Sequence, residues 1–241
     1  MPTTVSCSML KLLLLVSVLG LVCVSVSAQC TDVHIVFARG SIEPQGLGIC
    51  GRPLVSGITG ALSGKTVSSH AVVYDALATQ TSAGPGATSM TRHIVKYAAQ
   101  CPNAVFVIGG YSQGGTVTDI AIGIETVLGT GETIPVELAP RIKAVVVFGN
   151  PLHLTGQTIA QASPTYGAKA IEYCSDGDPI CATGANFFTH LTYAADGSVA
   201  KAARRAAQMV LGGSGGLSVI PSLLSGKDLP ALNFGNLRGS E

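Results

Sequence analysis

The chain has 241 residues, 47% of them hydrophobic and only 11% charged, so it can bury a sizeable core beneath an unusually uncharged surface. Its formal net charge of +1 is carried by Lys11, the one basic residue among the first 28, and the rest of the chain balances. With few aromatics, no Trp and no basic patch, it is not built to stack single-stranded nucleic acid or to be drawn electrostatically to nucleic acid or anionic membrane.

Residues 1–28 carry Lys11, an apolar run from Leu12, and the small residues Val26 and Ala28 at their end. This reads as a secretory leader cleaved after Ala28. An uncleaved anchor is the rival, since the run approaches the shortest membrane span. Polar Gln29, directly after the small residues, favours cleavage. No other stretch is long and apolar enough to cross a bilayer, so the mature protein is expected to be extracellular, without a membrane span. Five cysteines then remain: Cys30, Cys50, Cys101, Cys174 and Cys181. An oxidising compartment favours pairing four of them, and Cys174 and Cys181 are near enough to close a small ring, but spacing does not choose among the pairings. No cysteine lies two to four residues from another, so no metal site is expected.

Short apolar runs then alternate with helical or loop segments, the pattern of a parallel sheet covered on both faces. Strands are predicted at Val33–Ala38, His70–Ala76, Ala104–Gly109, Ile142–Gly149 and Ala168–Cys174. Helices are predicted at Arg52–Leu62, Ala87–Ala99, Thr116–Leu128 and Ser198–Leu211. In the second helix Met90, Ile94, Val95 and Ala98 form the apolar stripe, with Arg92, Lys96 and Gln100 turned away. Residues 29–211 thus read as one α/β domain, a three-layer α/β/α sandwich around a mainly five-stranded parallel sheet. Residues 212–241, rich in Gly, Ser and Pro without sustained period, read as a mobile tail.

The third strand runs into Gly110-Tyr111-Ser112-Gln113-Gly114 and then a helix. A capping Ser on a glycine turn is the plain reading. The strand–turn–helix context favours a nucleophile on a sharp turn, with the helix N-terminus beside developing negative charge. A base and an orienting acid should follow in the order acid, then His. His153 has no suitably placed acid between it and Ser112, whereas His190 follows the "CSDGDPIC" loop with Asp176 and Asp178. Spacing does not separate the two acids. The backbone N–H of Gln113 supplies one oxyanion donor, and Ser41, after the first strand, would face Ser112 if the strand order is 2-1-3-4-5. Around the expected site Leu77, Pro179, Ile180, Phe187, Phe188 and Leu191 are apolar, which suits an acyl chain, although core packing would equally explain the Phe pair.

The segments "CTDVHIVFARGS", "CPNAVFVIGGYSQGG", "CSDGDPIC" and "HLTY", in this order, resemble the cutinase family of secreted serine esterases with the α/β-hydrolase fold. The resemblance covers Cys30 to about Val210. It implies Ser112 as nucleophile, Asp178 as acid and His190 as base, with Ser41 and Gln113 forming the oxyanion hole. It also implies bridges Cys30–Cys101 and Cys174–Cys181, which leave Cys50 without a partner. The implied activity is cofactor-free hydrolysis, by a monomer, of cutin-type polyester and short- to medium-chain esters at a shallow site without a large lid. Acetylxylan esterases are similar and share the same serine turn. A secreted recognition protein on a hydrolase scaffold is the reading from another class.

Overall fold

Alternate residues of the apolar runs point to opposite faces of one sheet, and helices cover both. The computed structural model describes residues 29–212; the expected leader and nearly all of the expected tail lie outside the described residues. The strands are β1 (Val33–Ala38), β2 (Val67–Ala71), β3 (Val105–Tyr111), β4 (Ile142–Phe148) and β5 (Ala170–Tyr173). They pair in parallel in the order β2-β1-β3-β4-β5. The α-helices are α1 (Gly48–Ala61), α2 (Ala83–Gln100), α3 (Gln113–Ala121), α4 (Ile159–Ala162), α5 (Phe187–His190) and α6 (Ser198–Val210).

On one face Val36, Phe106, Ile108, Val145 and Val147 pack on Met90 and Ile94 of α2 and Val117 of α3. On the other, Ile35, Phe37, Val107, Val146 and Phe148 meet Leu54 and Ile58 of α1 and Val199, Ala202 and Ala206 of α6. Each fully buried Leu, Ile or Phe contributes about 2 kcal/mol by leaving water. That burial fixes the sheet, and with it the loops at the C-terminal strand edge.

Three expectations need correction. The second strand lies at Val67–Ala71 rather than His70–Ala76, because it pairs along β1, which ends at Ala38. Beyond it the ladder is replaced by side chains: Gln45 Nε2 donates to the Val72 carbonyl and Arg39 Nη2 to that of Tyr74. The third helix starts earlier and stops at Ala121 rather than Leu128. Gly123 at φ +83° breaks it, and Ile122 and Ile124 stay in the core as loop residues. Val95 is 39% exposed, whereas Met90, Ile94 and Ala98, spaced four apart on a single line of α2, are buried. The remaining strand and helix ends differ by a few residues, and the short helices α4 and α5 had no signal in the periodicity.

Candidate active site

Ser112 joins β3 to α3 at φ +56° and ψ −120°, a backbone conformation that L-residues rarely adopt. The glycines around it make that junction possible. A Cβ on Gly110 would lie 1.9 Å from the Gly114 carbonyl oxygen, and one on Gly114 would lie 2.0 Å from that of Ala38. Without side chains there, α3 folds back against β3 and β1. The Ser112 amide donates to the Phe148 carbonyl at 2.9 Å, tying the junction to β4. The Ser112 side chain lines a cavity of about 520 Å³.

His190, the last residue of α5, lines the same cavity. Its Nδ1 lies 2.7 Å from Asp178 Oδ2, while its Nε2 is buried without a protein partner. The Tyr111 hydroxyl donates to the His190 carbonyl at 2.8 Å, and the two rings stack at 4.9 Å. Asp178 is wholly buried, and its Oδ1 accepts from the Ile180 amide at 2.7 Å. Asp176, the alternative acid, is exposed. The Cys174–Cys181 disulfide closes the loop that carries both acids. His153 is elsewhere, with its Nε2 3.0 Å from Glu172 Oε2 on β5.

Ser41 and Gln113 meet across the gap between β1 and β3, the Ser41 hydroxyl donating to Gln113 Oε1 at 3.3 Å. Gln113 Nε2 donates in turn to Ser82 Oγ at 3.4 Å. The turn bearing Ser41 is braced by Glu43, whose carboxylate accepts from the amides of Gly40 at 2.6 Å and Ile49 at 2.7 Å. Nothing in the sequence pattern distinguished Glu43. The hydroxyl of Tyr193 also reaches Asp178, and its only sequence signal was its place in "HLTY".

Of the residues expected to hold substrate, Ile180, Phe187 and Leu191 line the cavity together with Ile42, Pro44 and Ile49. Leu77 and Phe188 lie outside this lining. Phe187 and Phe188 are neighbours on one helix, about 100° apart around its axis, and Phe187 is the one in the lining. Both are more than half exposed, so neither is a core residue. Cys50 is the free cysteine among the described residues; it is buried, and burial pushes its thiol pKa up, as for a small apolar side chain. Cys30 and Cys101 are both disulfide-bonded.

A parallel sheet in this order, with a serine on the strained junction after its central strand and a histidine–carboxylate pair at the same edge, defines an α/β-hydrolase. The chain belongs to the cutinase family, whose family model matches residues 29–210. It is 55% identical over 186 residues to a cutinase of Kineococcus radiotolerans, a match covering 76% of this chain and 63% of that one. The chain thus spans less than two thirds of the length of that relative. Among solved structures, Trichoderma reesei cutinase in complex with a phosphonate inhibitor is 29% identical with a TM-score of 0.57, covering 76% of each chain. The catalytic core of Trichoderma reesei acetyl xylan esterase shares the fold at 23% identity and a TM-score of 0.65, over 77% of this chain and all of that one. No helix among the described residues is long and apolar enough to cross a membrane.

Proposed function

We propose that the protein is a secreted serine carboxylesterase that cleaves cutin-type polyester and short- to medium-chain acyl esters. One observation carries the proposal: His190 is held by Asp178 at Nδ1 and leaves Nε2 unpartnered in the cavity that Ser112 lines. In this reading the Ser112 hydroxyl gives its proton to His190 Nε2 as Oγ bonds to the ester carbonyl carbon. Ser41 and the Gln113 amide hold the resulting oxyanion. The intermediate collapses, and the leaving alcohol takes the proton from His190. Water then gives a proton to His190 and attacks the acyl-enzyme, and the acid departs as Ser112 regains its proton.

The mainly apolar walls favour an acyl chain over a sugar. Secretion fits the disulfides, which persist in oxidising compartments, and fits removal of residues 1–28. The Cys30–Cys101 pairing belongs to the same proposal. Acylation needs His190 as a neutral base, so an imidazole already protonated could not take the Ser112 proton.

The test is initial rates on p-nitrophenyl acetate, butyrate, octanoate and palmitate, with Ser112→Ala alongside. Activity peaking at butyrate or octanoate and absent from the variant supports the reading. Activity confined to acetate replaces the polyester by acetylated polysaccharide. Equal rates for both proteins on every ester overturn the enzyme reading.

A further inference from the structure

Three residues beyond His190 the chain places a phenol that the hydrolytic scheme leaves unused. Tyr193 is fully buried, and its hydroxyl donates to Asp178 Oδ2 at 2.6 Å. That is the oxygen that holds His190 Nδ1 at 2.7 Å. The turn after α5 brings both rings to one carboxylate, and they meet edge to face with centroids 6.2 Å apart. The phenol does not act alone, because the Ser175 amide donates to its oxygen at 3.0 Å. A backbone N–H, a phenol and a carboxylate oxygen therefore form a chain in which each bond polarises the next. With the Ile180 amide on Oδ1, the buried carboxylate has three donors: one imidazole, one phenol and one amide.

We infer that Tyr193 is a positioning residue of the reaction, whose hydroxyl fixes Asp178 Oδ2 and sets how much of its charge remains for the His190 Nδ1–H. The inference rests on the reading of Ser112, His190 and Asp178 given above. Two donors on one oxygen share its electron density, so a stronger phenol donor weakens the hold on the imidazole and a missing one strengthens it. Burial, with the bond to Asp178, pushes the Tyr193 pKa up, so the phenol keeps its proton and serves as a donor. The other titratable group against His190 is Tyr111 of β3, with Cys50 and Glu43 beyond it. None of these reaches Asp178 Oδ2 by hydrogen bond. A tyrosine that only filled space would need no hydroxyl at this oxygen.

The experiment measures kcat/KM on p-nitrophenyl butyrate from about pH 5 to about pH 8. It compares the full chain with Tyr193→Phe and with a chain carrying a ring-fluorinated tyrosine at that position. Tyr193→Phe should lower the plateau about tenfold and move the midpoint of the acid limb up by about half a pH unit. The fluorinated residue is a stronger donor that retains every hydrogen bond, so it folds even if the Phe variant does not, and it should move the midpoint the other way. Midpoints identical to wild type in the folded variants overturn the inference, even if rates fall. Asp178→Asn separates the two levels. If it abolishes activity while the Tyr193 variants leave the midpoint in place, only the role of Tyr193 falls. If it leaves activity intact, Asp178 is not the acid and both readings fall.

Discussion

Acid should weaken this fold through three histidines other than His190 of the His190–Asp178 pair. His34 of β1, His70 of β2 and His93 of α2 form one cluster. His34 Nε2 lies 2.8 Å from His93 Nε2, His34 Nδ1 lies 2.7 Å from Ser68 Oγ, and the His70 and His93 rings stack at 3.5 Å. One proton fits between the facing Nε2 atoms; a second would set two N–H groups head to head. Burial, with repulsion from His93 and His70, pushes His34 down to about 3. Burial, with His70 and Lys96, pushes His93 down to about 4. An unfolded histidine takes its proton near about 6.5, so between that pH and the folded values the unfolded chain binds more protons. Stability contributed by the neutral cluster is therefore lost as pH falls through this window. For His93 the linkage is worth about 2 kcal/mol at about pH 5 before screening, and about 1 kcal/mol once its partial exposure is allowed for.

Buried Asp119 acts in the opposite direction, so the total pH dependence is not the quantity to read. The comparison is wild type against His93→Gln, by urea unfolding followed by far-UV circular dichroism at about pH 7 and about pH 5. The variant should be the less stable at the higher pH, where it loses its bond to His34. The gap should narrow by about 1 kcal/mol at the lower pH. An equal gap at both values refutes the histidine argument.

Asp119 has a pKa pushed up to about 8 by burial, against which the hydrogen bond from Asn150 works only in part. Its unfolded carboxyl ionises near about 4, so its contribution to stability declines as pH rises from there to about 8. The melting temperature of Asp119→Asn should lack this decline, and equal slopes for the two proteins would contradict it. Ser112→Gly should be inactive yet about 1 kcal/mol more stable, since glycine tolerates the positive φ. A lower melting temperature would show that the junction stores no strain. Replacing Cys174 and Cys181 together by Ser opens a loop with a sequence separation of only 7, costing about 2 kcal/mol by chain entropy. It should lower kcat more than it raises KM as Asp178 loosens; unchanged kcat would separate the bridge from the acid. Amino-terminal sequencing of the exported protein should begin at Gln29.

Much of the candidate site is legible in the sequence. The position of Ser112 could be read because a strand–turn–helix junction needs a local pattern, an apolar strand, close-packed glycines and a helix, all contiguous in the chain. His190 could be ordered after it. Asp178 and Asp176 were not separable by spacing, since both lie on the same two-cysteine loop; burial and the direction of one side chain distinguish them. The lining of the cavity was only partly legible. Hydrophobicity marks Leu77 and Phe188 as readily as Ile180 and Phe187, and only the folded arrangement shows that the latter two line the cavity.

Local rules and periodicity therefore determined what is written within one segment: the strands of β1, β3 and β4, the serine turn, the apolar line on α2 and the five-stranded α/β class. Tertiary structure decided whatever depends on distant segments meeting. Pairing with β1 placed β2 three residues earlier than its apolar content implied. Side chains from the loop after β1 took over the carbonyls where that ladder stops. Three histidines far apart in sequence became one cluster, and a buried carboxylate oxygen became the common acceptor of an imidazole and a phenol. Those contacts cross between elements, and a hydrogen bond's partner is selected by position in space, which no spacing along the chain encodes.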